Sequence, residues 1–147
     1  MSDKAKVVVV AEDSAPNRAI LVTLLTKMGF TVEEFPNGED AWKFLAENKT
    51  KEVQLIITDY MMPKMNGIQM IERVREVEQY RNVPIFVSSA INDKEVVLQA
   101  KSLQVSGYLL KPIRSDALLK RLLEVFPDHQ GLLAFQRRDA SWTRKSG

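Results

Sequence analysis

A short apolar run followed by a segment with helical spacing occurs five times along the chain. The first run, KVVVVA at residues 6–11, is β-branched and apolar without interruption, which is typical of a strand covered on both faces. Strands that alternate with helices form a parallel sheet with helices on both sides, wound by right-handed crossovers. The pattern therefore predicts a doubly wound α/β fold with a five-stranded parallel sheet.

The five units can be placed on the sequence by their apolar spacing and turn residues. The predicted strands cover residues 6–11, 30–35, 53–58, 83–88 and 107–110, and the predicted helices cover 15–28, a segment around 41–45, 67–80, 93–103 and 115–126. In the first helix, Ile20 is among the residues expected to face the core. Ser115 is expected to cap the last of these helices.

Composition excludes several classes of function. The chain has 147 residues, which suits one domain, and it has no cysteine, so disulfides, thiolate nucleophiles and cysteine-bound metals are excluded. A net charge of +2 gives little reason to expect nucleic-acid binding. Without a signal-peptide core or a membrane span, we expect a cytoplasmic protein that does not bind membranes.

Polar side chains follow four of the five predicted strands. Glu12 and Asp13 follow the first strand, Asp59 the third, Ser89 the fourth and Lys111 the fifth. Ligands of a doubly wound sheet bind at the carboxyl ends of the strands, near the point where the strand order reverses. We therefore expect three carboxylates, a hydroxyl and an ammonium to meet in one shallow pocket.

Crowded carboxylates indicate a divalent cation. Like charges a few ångströms apart repel strongly in a partly buried site, and a cation removes that cost. Oxygen ligands favour Mg²⁺, with Mn²⁺ able to substitute, and the single histidine, His129, lies outside the predicted site. A carboxylate beside Mg²⁺ and a lysine can act as a nucleophile toward phosphorus.

Each of these residues also has an ordinary structural explanation. Glu12 and Asp13 could cap a helix, Asp59 and Ser89 could be turn residues, and Lys111 could be a surface lysine before a proline. Independent structural roles would not require all of them at the same end of four strands. The shared position therefore favours a functional site.

Two segments resemble the response-regulator receiver family, including its chemotaxis-type single-domain members. They are LIITDYMMPKMNG at residues 55–67 and GYLLKP at residues 107–112, and the resemblance extends over about residues 5–126. It implies a flavodoxin-like (βα)5 receiver fold. We therefore expect a receiver domain at residues 1–126.

The resemblance also implies a role for each site residue. Asp59 would accept a phosphoryl group from a histidine kinase or a phosphotransfer protein, and Lys111 would contact that group. Glu12, Asp13, Asp59 and the backbone carbonyl of Met61 would bind the metal. Ser89 and Tyr108 would switch conformation, and a downstream protein would bind the face made by the fourth helix, the fifth strand and the fifth helix. The Lys111–Pro112 bond would be cis.

The sequence departs from the family pattern at two site positions. Glu12 stands where aspartate is frequent, so it has a longer arm that can bind metal through water, and Ser89 replaces a frequent threonine.

Two other classes of function stay open. A Mg²⁺-dependent phosphohydrolase is disfavoured because Met61 stands where a second acidic residue would act as acid and base. A flavin or nucleotide binder is disfavoured because the first turn is acidic and has no glycines.

Residues 127–147 form a basic tail that contains several apolar residues. They are too few for an output domain, so the receiver either works alone or belongs to a longer regulator. A disordered tail or linker is one interpretation. The other is a short helix that docks on the domain or on a second copy of the chain, which would make a homodimer.

Overall fold

The computed structural model describes residues 4–90 and 94–146, and within them the predicted sheet is present. Its strands are β1 (Ala5–Ala11), β2 (Val32–Phe35), β3 (Lys51–Asp59), β4 (Ile85–Ser89) and β5 (Gly107–Leu110). All neighbouring pairs are parallel, in the order β2-β1-β3-β4-β5. The doubly wound architecture predicted from the sequence is therefore confirmed.

Helices cover both faces of the sheet. They are α1 (Ala15–Lys27), α2 (Gly38–Glu47), α3 (Gly67–Glu76), α4 (Lys94–Ser102), α5 (Ser115–Val125) and α6 (Gln130–Ser146). In the part of the chain that the structure describes, none of these helices is long and apolar enough to cross a membrane.

The valines of β1 separate the core into two halves. Val7 and Val9 point into a cluster with residues of α2, α3 and α4, whereas Val8 and Val10 point into a cluster with residues of α1, α5 and α6. Each of the four is at most 1% exposed. Alternate residues of a strand face opposite sides of the sheet, so an uninterrupted apolar run is what a strand between two helical layers requires.

Several element boundaries differ from the sequence prediction: β3 starts at Lys51 rather than at residue 53, and β4 at Ile85 rather than at residue 83. Two further differences have a visible packing reason. Strand β2 starts at Val32 rather than at residue 30, because Phe30 is buried and stacks on the His129 ring with centroids 4.3 Å apart. Helix α3 ends at Glu76 rather than at residue 80, and a single 3-10 turn follows. That turn brings the Tyr80 hydroxyl within 2.6 Å of the Leu45 carbonyl, to which it donates a hydrogen bond.

The starts of α4 and α5 and the buried face of α1 can be compared with the sequence expectations. Ser115 does not cap α5, since Arg114 occupies the N-cap position and Ser115 is already helical. Ile20 does not face the core but is 48% exposed, because the buried face of α1 is centred on Leu21 and Leu25. The predicted start of α4 at Asp93 lies outside the described residues, and α4 begins at Lys94 in the structure.

One arginine connects α3 to the start of β4 and the end of α4. The Arg75 guanidinium donates hydrogen bonds to backbone carbonyls of residues 80, 81 and 83 and of residues 103 and 104, at 2.8 to 3.4 Å. Its burial lowers the pKa of Arg75 from its usual value. Because these acceptors belong to separate segments, this side chain holds the segments before β4 and after α4 together. They lie away from the carboxyl ends of the strands.

The last helix, α6, packs into the core at its first turns. Leu132 of α6 is completely buried in the cluster with α1 and α5. The backbone at Gly131 comes so close that a Cβ there would lie 2.2 Å from the Met28 carbonyl oxygen. His129 accepts a hydrogen bond from the backbone N–H of Leu132 at its Nδ1 atom, 3.2 Å away, and so caps the helix.

Truncating the buried leucine of α6 should destabilise the whole domain. Leu132→Ala leaves a cavity in a closed part of the core, so we expect it to lower the free energy of unfolding by about 2–4 kcal/mol. Urea denaturation followed by circular dichroism measures this value. Leu133→Ala is the matched control, because Leu133 is only half-buried, and equal losses in the two variants would contradict the docking of α6.

Acidification should weaken the docking of α6 through His129. Burial, and then the charge of Lys6, lowers the pKa of His129, so the unfolded chain takes up a proton more readily than the folded one. This contribution to stability is present above the ordinary histidine pKa of about 6.5 and is lost as the pH falls below it.

The variant His129→Asn tests this pH dependence. Asparagine keeps a side-chain acceptor for capping but does not titrate. As the pH falls from 8 to 5, we expect the unfolding free energy of the wild type to decrease relative to that of His129→Asn in urea titrations, because both proteins share the titration of Asp59. Identical pH profiles would show that His129 does not carry the effect.

Candidate functional site

The topology brings the ends of β1, β3 and β5 to one edge of the sheet. Strands β1 and β3 are neighbours, and the chain leaves β1 toward β2 on one side and returns to β3 on the other. This is the point where the strand order reverses, and a crevice forms there at the carboxyl ends of the strands. Glu12 follows β1, Asp59 ends β3 and Lys111 follows β5.

Lys111 joins two of the predicted carboxylates. Its Nζ lies 2.7 Å from Oδ2 of Asp59 and 2.7 Å from Oε1 of Glu12. Glu12 and Asp59 are 2% and 3% exposed, so both ion pairs are shielded from water. Burial would lower the pKa of Lys111, but the hydrogen bonds and charges of Asp59 and Glu12 outweigh burial and raise it.

Asp13 completes a group of three carboxylates. One oxygen of Glu12, one of Asp13 and one of Asp59 all lie within 4.8 Å of one another, and Asp13 is exposed to solvent. A spacing of this kind lets a small cation contact more than one carboxylate, with the remaining positions filled by water. The residues present therefore fit a hard divalent cation that binds oxygen.

The pKa of Asp59 shows how crowded the site is without such a cation. Burial is the largest cause and raises this pKa, the hydrogen bond from Lys111 lowers it, and the charge of Glu12 raises it again. The net effect raises the pKa of Asp59 from 3.8 to about 7. A positive ion beside Asp59 would act in the opposite direction and favour the ionised carboxylate.

The other predicted residues are Ser89, Tyr108 and Met61. They lie at the end of β4, on β5 and just after β3. Ser89, at the end of β4, is buried, and its carbonyl oxygen accepts a hydrogen bond from the Lys111 backbone N–H at 2.9 Å. Tyr108 lies on β5 opposite Val87 and packs, half-buried, against the core. Met61, two residues after Asp59, is 59% exposed.

Two expectations on neighbouring residues can be compared directly with the structure. The Lys111–Pro112 peptide bond is cis, as the family resemblance implied. His129 stacks on Phe30 beside α6, outside the group of carboxylates.

Three residues that support the site were not among the site residues predicted from the sequence. Arg18 of α1 donates a hydrogen bond to the Glu12 carbonyl at 2.8 Å, and the Ser14 backbone N–H donates to Oε2 of Glu12 at 3.0 Å. Gly67 starts α3 directly against the end of β3, where a Cβ would lie 2.4 Å from the Asp59 carbonyl oxygen. Arg18 resembles any charged residue in a first helical turn, so only its contacts reveal its role.

A family model described as the response regulator receiver domain matches residues 8–123. A chemotaxis protein CheY homolog from Campylobacter jejuni is 32% identical over 123 residues, which cover 83% of this chain and 93% of that protein. The chemotaxis protein CheY1 of Helicobacter pylori is 32% identical over 117 residues, which cover 79% of this chain and 92% of that protein.

Solved structures show the same architecture. The chemotaxis response regulator CheY4 of Vibrio cholerae is similar with a TM-score of 0.74 and 30% identity, over 83% of this chain and 98% of that one. A response regulator receiver protein from Pseudomonas putida has a TM-score of 0.72 and 28% identity, over 84% and 99% of the two chains. The predicted flavodoxin-like receiver fold is thereby confirmed.

Removing the charge of Asp59 should stabilise the protein in the absence of divalent cations. The folded-state pKa is raised from 3.8 to about 7, so the folded protein binds this proton more tightly than the unfolded chain. Stability is therefore lost as the pH rises through this range. At pH 8 with a chelator, we expect Asp59→Asn to melt roughly 3–6 °C above the wild type.

The matched control for this measurement is Asp40→Asn, a change at an exposed carboxylate on α2. It should not raise the melting temperature. If Asp59→Asn melts at or below the wild-type temperature at pH 8, the Lys111 ion pair outweighs burial and repulsion, and the account of a strained carboxylate is wrong.

Proposed function

The chain belongs to the response regulator receiver family, and we propose that it takes a phosphoryl group onto the carboxylate of Asp59. The observation that carries this proposal is the joint contact of Lys111 with Asp59 and Glu12, 2.7 Å from each. It gives one carboxylate a charge environment suited to an anionic phosphoryl donor. Receiver domains are signalling modules, and we assign this chain the same role.

In the proposed reaction, a carboxylate oxygen of Asp59 attacks the phosphorus atom of the donor. With phosphohistidine as the donor, the phosphorus–nitrogen bond breaks and the imidazole keeps the electron pair. The product is an aspartyl phosphate, in which the new oxygen–phosphorus bond replaces the donor bond. Lys111 already lies within hydrogen-bond distance of Asp59, so its ammonium is placed to neutralise phosphoryl oxygens as their charge changes.

We assign the cation of this site as Mg²⁺, with Mn²⁺ able to replace it. Asp13, Asp59 and the Met61 carbonyl would hold it directly, and Glu12, whose two carboxylate oxygens contact Lys111 and the Ser14 N–H, would hold it through water. When bound, the cation neutralises the phosphoryl oxygens and favours the ionised nucleophile. The chemistry of the donor set supports this choice, since all ligands are oxygen atoms.

Phosphorylation would change the partner-binding surface through Ser89 and Tyr108. Ser89 is buried at the end of β4 beside Lys111, and Tyr108 lies on the neighbouring strand. A phosphoryl oxygen that binds the Ser89 hydroxyl favours the packing in which Tyr108 turns inward. The face formed by α4, β5 and α5 would respond, and it presents the apolar side chains of Leu98 and Leu110, which are 64% and 50% exposed.

The partners follow from this chemistry. A histidine kinase or a histidine phosphotransfer protein would supply the phosphoryl group in the cytoplasm, and a downstream protein would bind the α4-β5-α5 face. On this account the phosphoryl group stays on the protein as a signal, and the chain does not turn over a small phosphate ester. Residues 1–126 would carry these functions, with α6 as an appended helix.

Labelling with a small phosphoryl donor tests the proposal. With acetyl phosphate and Mg²⁺, the carboxylate of Asp59 should displace acetate, and intact-protein mass spectrometry should show one added phosphoryl group. Asp59→Asn should abolish this adduct because an amide is not a nucleophile at neutral pH. Asp13→Asn should reduce labelling mainly by raising the Mg²⁺ concentration that is required.

Asp40→Asn serves again as the control and should be labelled like the wild type. Full labelling of Asp59→Asn would refute the assignment of the phosphoacceptor. Repeated turnover of p-nitrophenyl phosphate, a small phosphate ester, without a stable adduct would instead support the phosphohydrolase interpretation.

A further inference from the structure

A groove of about 700 Å³ lies between α2 and α3, on the face of the sheet opposite α1 and α5. A second depression of about 510 Å³ adjoins it, and both are lined by Trp42, Lys64, Met65 and Arg73. We call the surface centred on these four residues the Trp42 groove. It is distinct from the α4-β5-α5 face.

The centre of the Trp42 groove combines an apolar floor with positive charge. Trp42 and Met65 are half-buried and pack against the core, whereas Lys64 and Arg73 are exposed. Among the described residues, neither Lys64 nor Arg73 has a side-chain hydrogen bond or an ion pair. Tryptophan, methionine and arginine are the residues enriched at the centres of protein interfaces.

The four acidic lining residues each belong to only one of the two depressions, whereas Lys64 and Arg73 line both, and Lys43 adds a third positive charge to the smaller one. The acidic residues are Glu39 and Glu47 on α2 and Glu72 and Glu76 on α3. Four carboxylates in the lining of the two depressions repel a long polyanion, so the groove does not suit nucleic acid. A short segment with one or two carboxylates can pair with Lys64 and Arg73, the two charged residues that both depressions share.

The backbone below the groove is held in place. Lys64 has a left-handed backbone with φ of 70°, and the next residue, Met65, donates its N–H to the Pro63 carbonyl at 2.8 Å. Gly38, the first residue of α2, packs so closely that a Cβ there would lie 2.5 Å from the Met65 carbonyl oxygen. A preformed surface binds a partner at a lower entropic cost than a mobile one.

We propose that the Trp42 groove is a docking site for a segment of a partner protein that carries a carboxylate next to a large apolar side chain. The carboxylate pairs with Lys64 and Arg73, and the apolar side chain packs on Trp42 and Met65. Charge complementarity at the centre of the groove supports this occupant. The proposal does not depend on phosphorylation of Asp59.

A displayed library of helical peptides about four turns long, selected on the full chain, tests the proposal. Selected peptides should share an acidic residue next to a leucine or an aromatic residue. In the Trp142→Phe background, Trp42 is the remaining tryptophan, so its fluorescence should change as these peptides bind. The double variant Lys64→Glu/Arg73→Glu should weaken binding at least about tenfold, because two ion pairs become repulsive.

The double variant Lys49→Glu/Lys120→Glu makes the same change of charge outside the groove and should leave affinity within about twofold. Trp42→Ala should weaken binding without changing net charge. Peptides without the acidic and apolar pair, or peptides that bind Lys64→Glu/Arg73→Glu as tightly as the wild type, would overturn the proposal. Dimerisation in sedimentation experiments that Lys64→Glu/Arg73→Glu abolishes would also overturn it, by assigning the groove to a second copy.

Discussion

The contact of one lysine with two buried carboxylates is the interaction on which the site depends. Lys111 lies 2.7 Å from both Glu12 and Asp59, and without it two negative charges would face each other in a region closed to water. Removing the lysine would leave two buried carboxylates without a partner, which is strongly destabilising, whereas removing one carboxylate leaves Lys111 paired with the other. The lysine therefore makes the acidic cluster compatible with a folded protein, while the cluster stays charged enough to attract a cation.

The parallel sheet makes this contact possible. The three residues come from the ends of β1, β3 and β5, which are separated by about fifty residues at each step along the chain but end at the same edge. The valines of β1 are buried on both sides, so the strand that carries Glu12 cannot shift without exposing core. Packing thus fixes the positions of the charges, and the Arg18 contact to the Glu12 carbonyl fixes them further.

Much of this arrangement could be predicted from the sequence, because it depends on local patterns. Uninterrupted apolar runs indicated buried strands, and the residues after those runs identified Glu12, Asp13, Asp59 and Lys111 as neighbours. Features set by tertiary contacts were missed or misplaced. Phe30 was predicted in the second strand but lies outside it, stacked on His129. Helix α3 ends earlier than predicted, and the turn after it places the Tyr80 hydroxyl against the Leu45 carbonyl. No local signal indicated the hydrogen bonds of Arg18 and Arg75, since their acceptors are backbone carbonyls brought close by folding.

Phosphoryl transfer to Asp59, as proposed, requires a cation bound by the acidic cluster. Crystals soaked in Mn²⁺ and measured at the manganese absorption edge would locate such an ion by its anomalous scattering. We expect one strong peak in contact with Asp13 and Asp59, on the side of the Met61 carbonyl and away from the Lys111 ammonium. Absence of a peak at high Mn²⁺ concentration, or a peak only at surface carboxylates elsewhere, would contradict the proposed phosphoryl-transfer site.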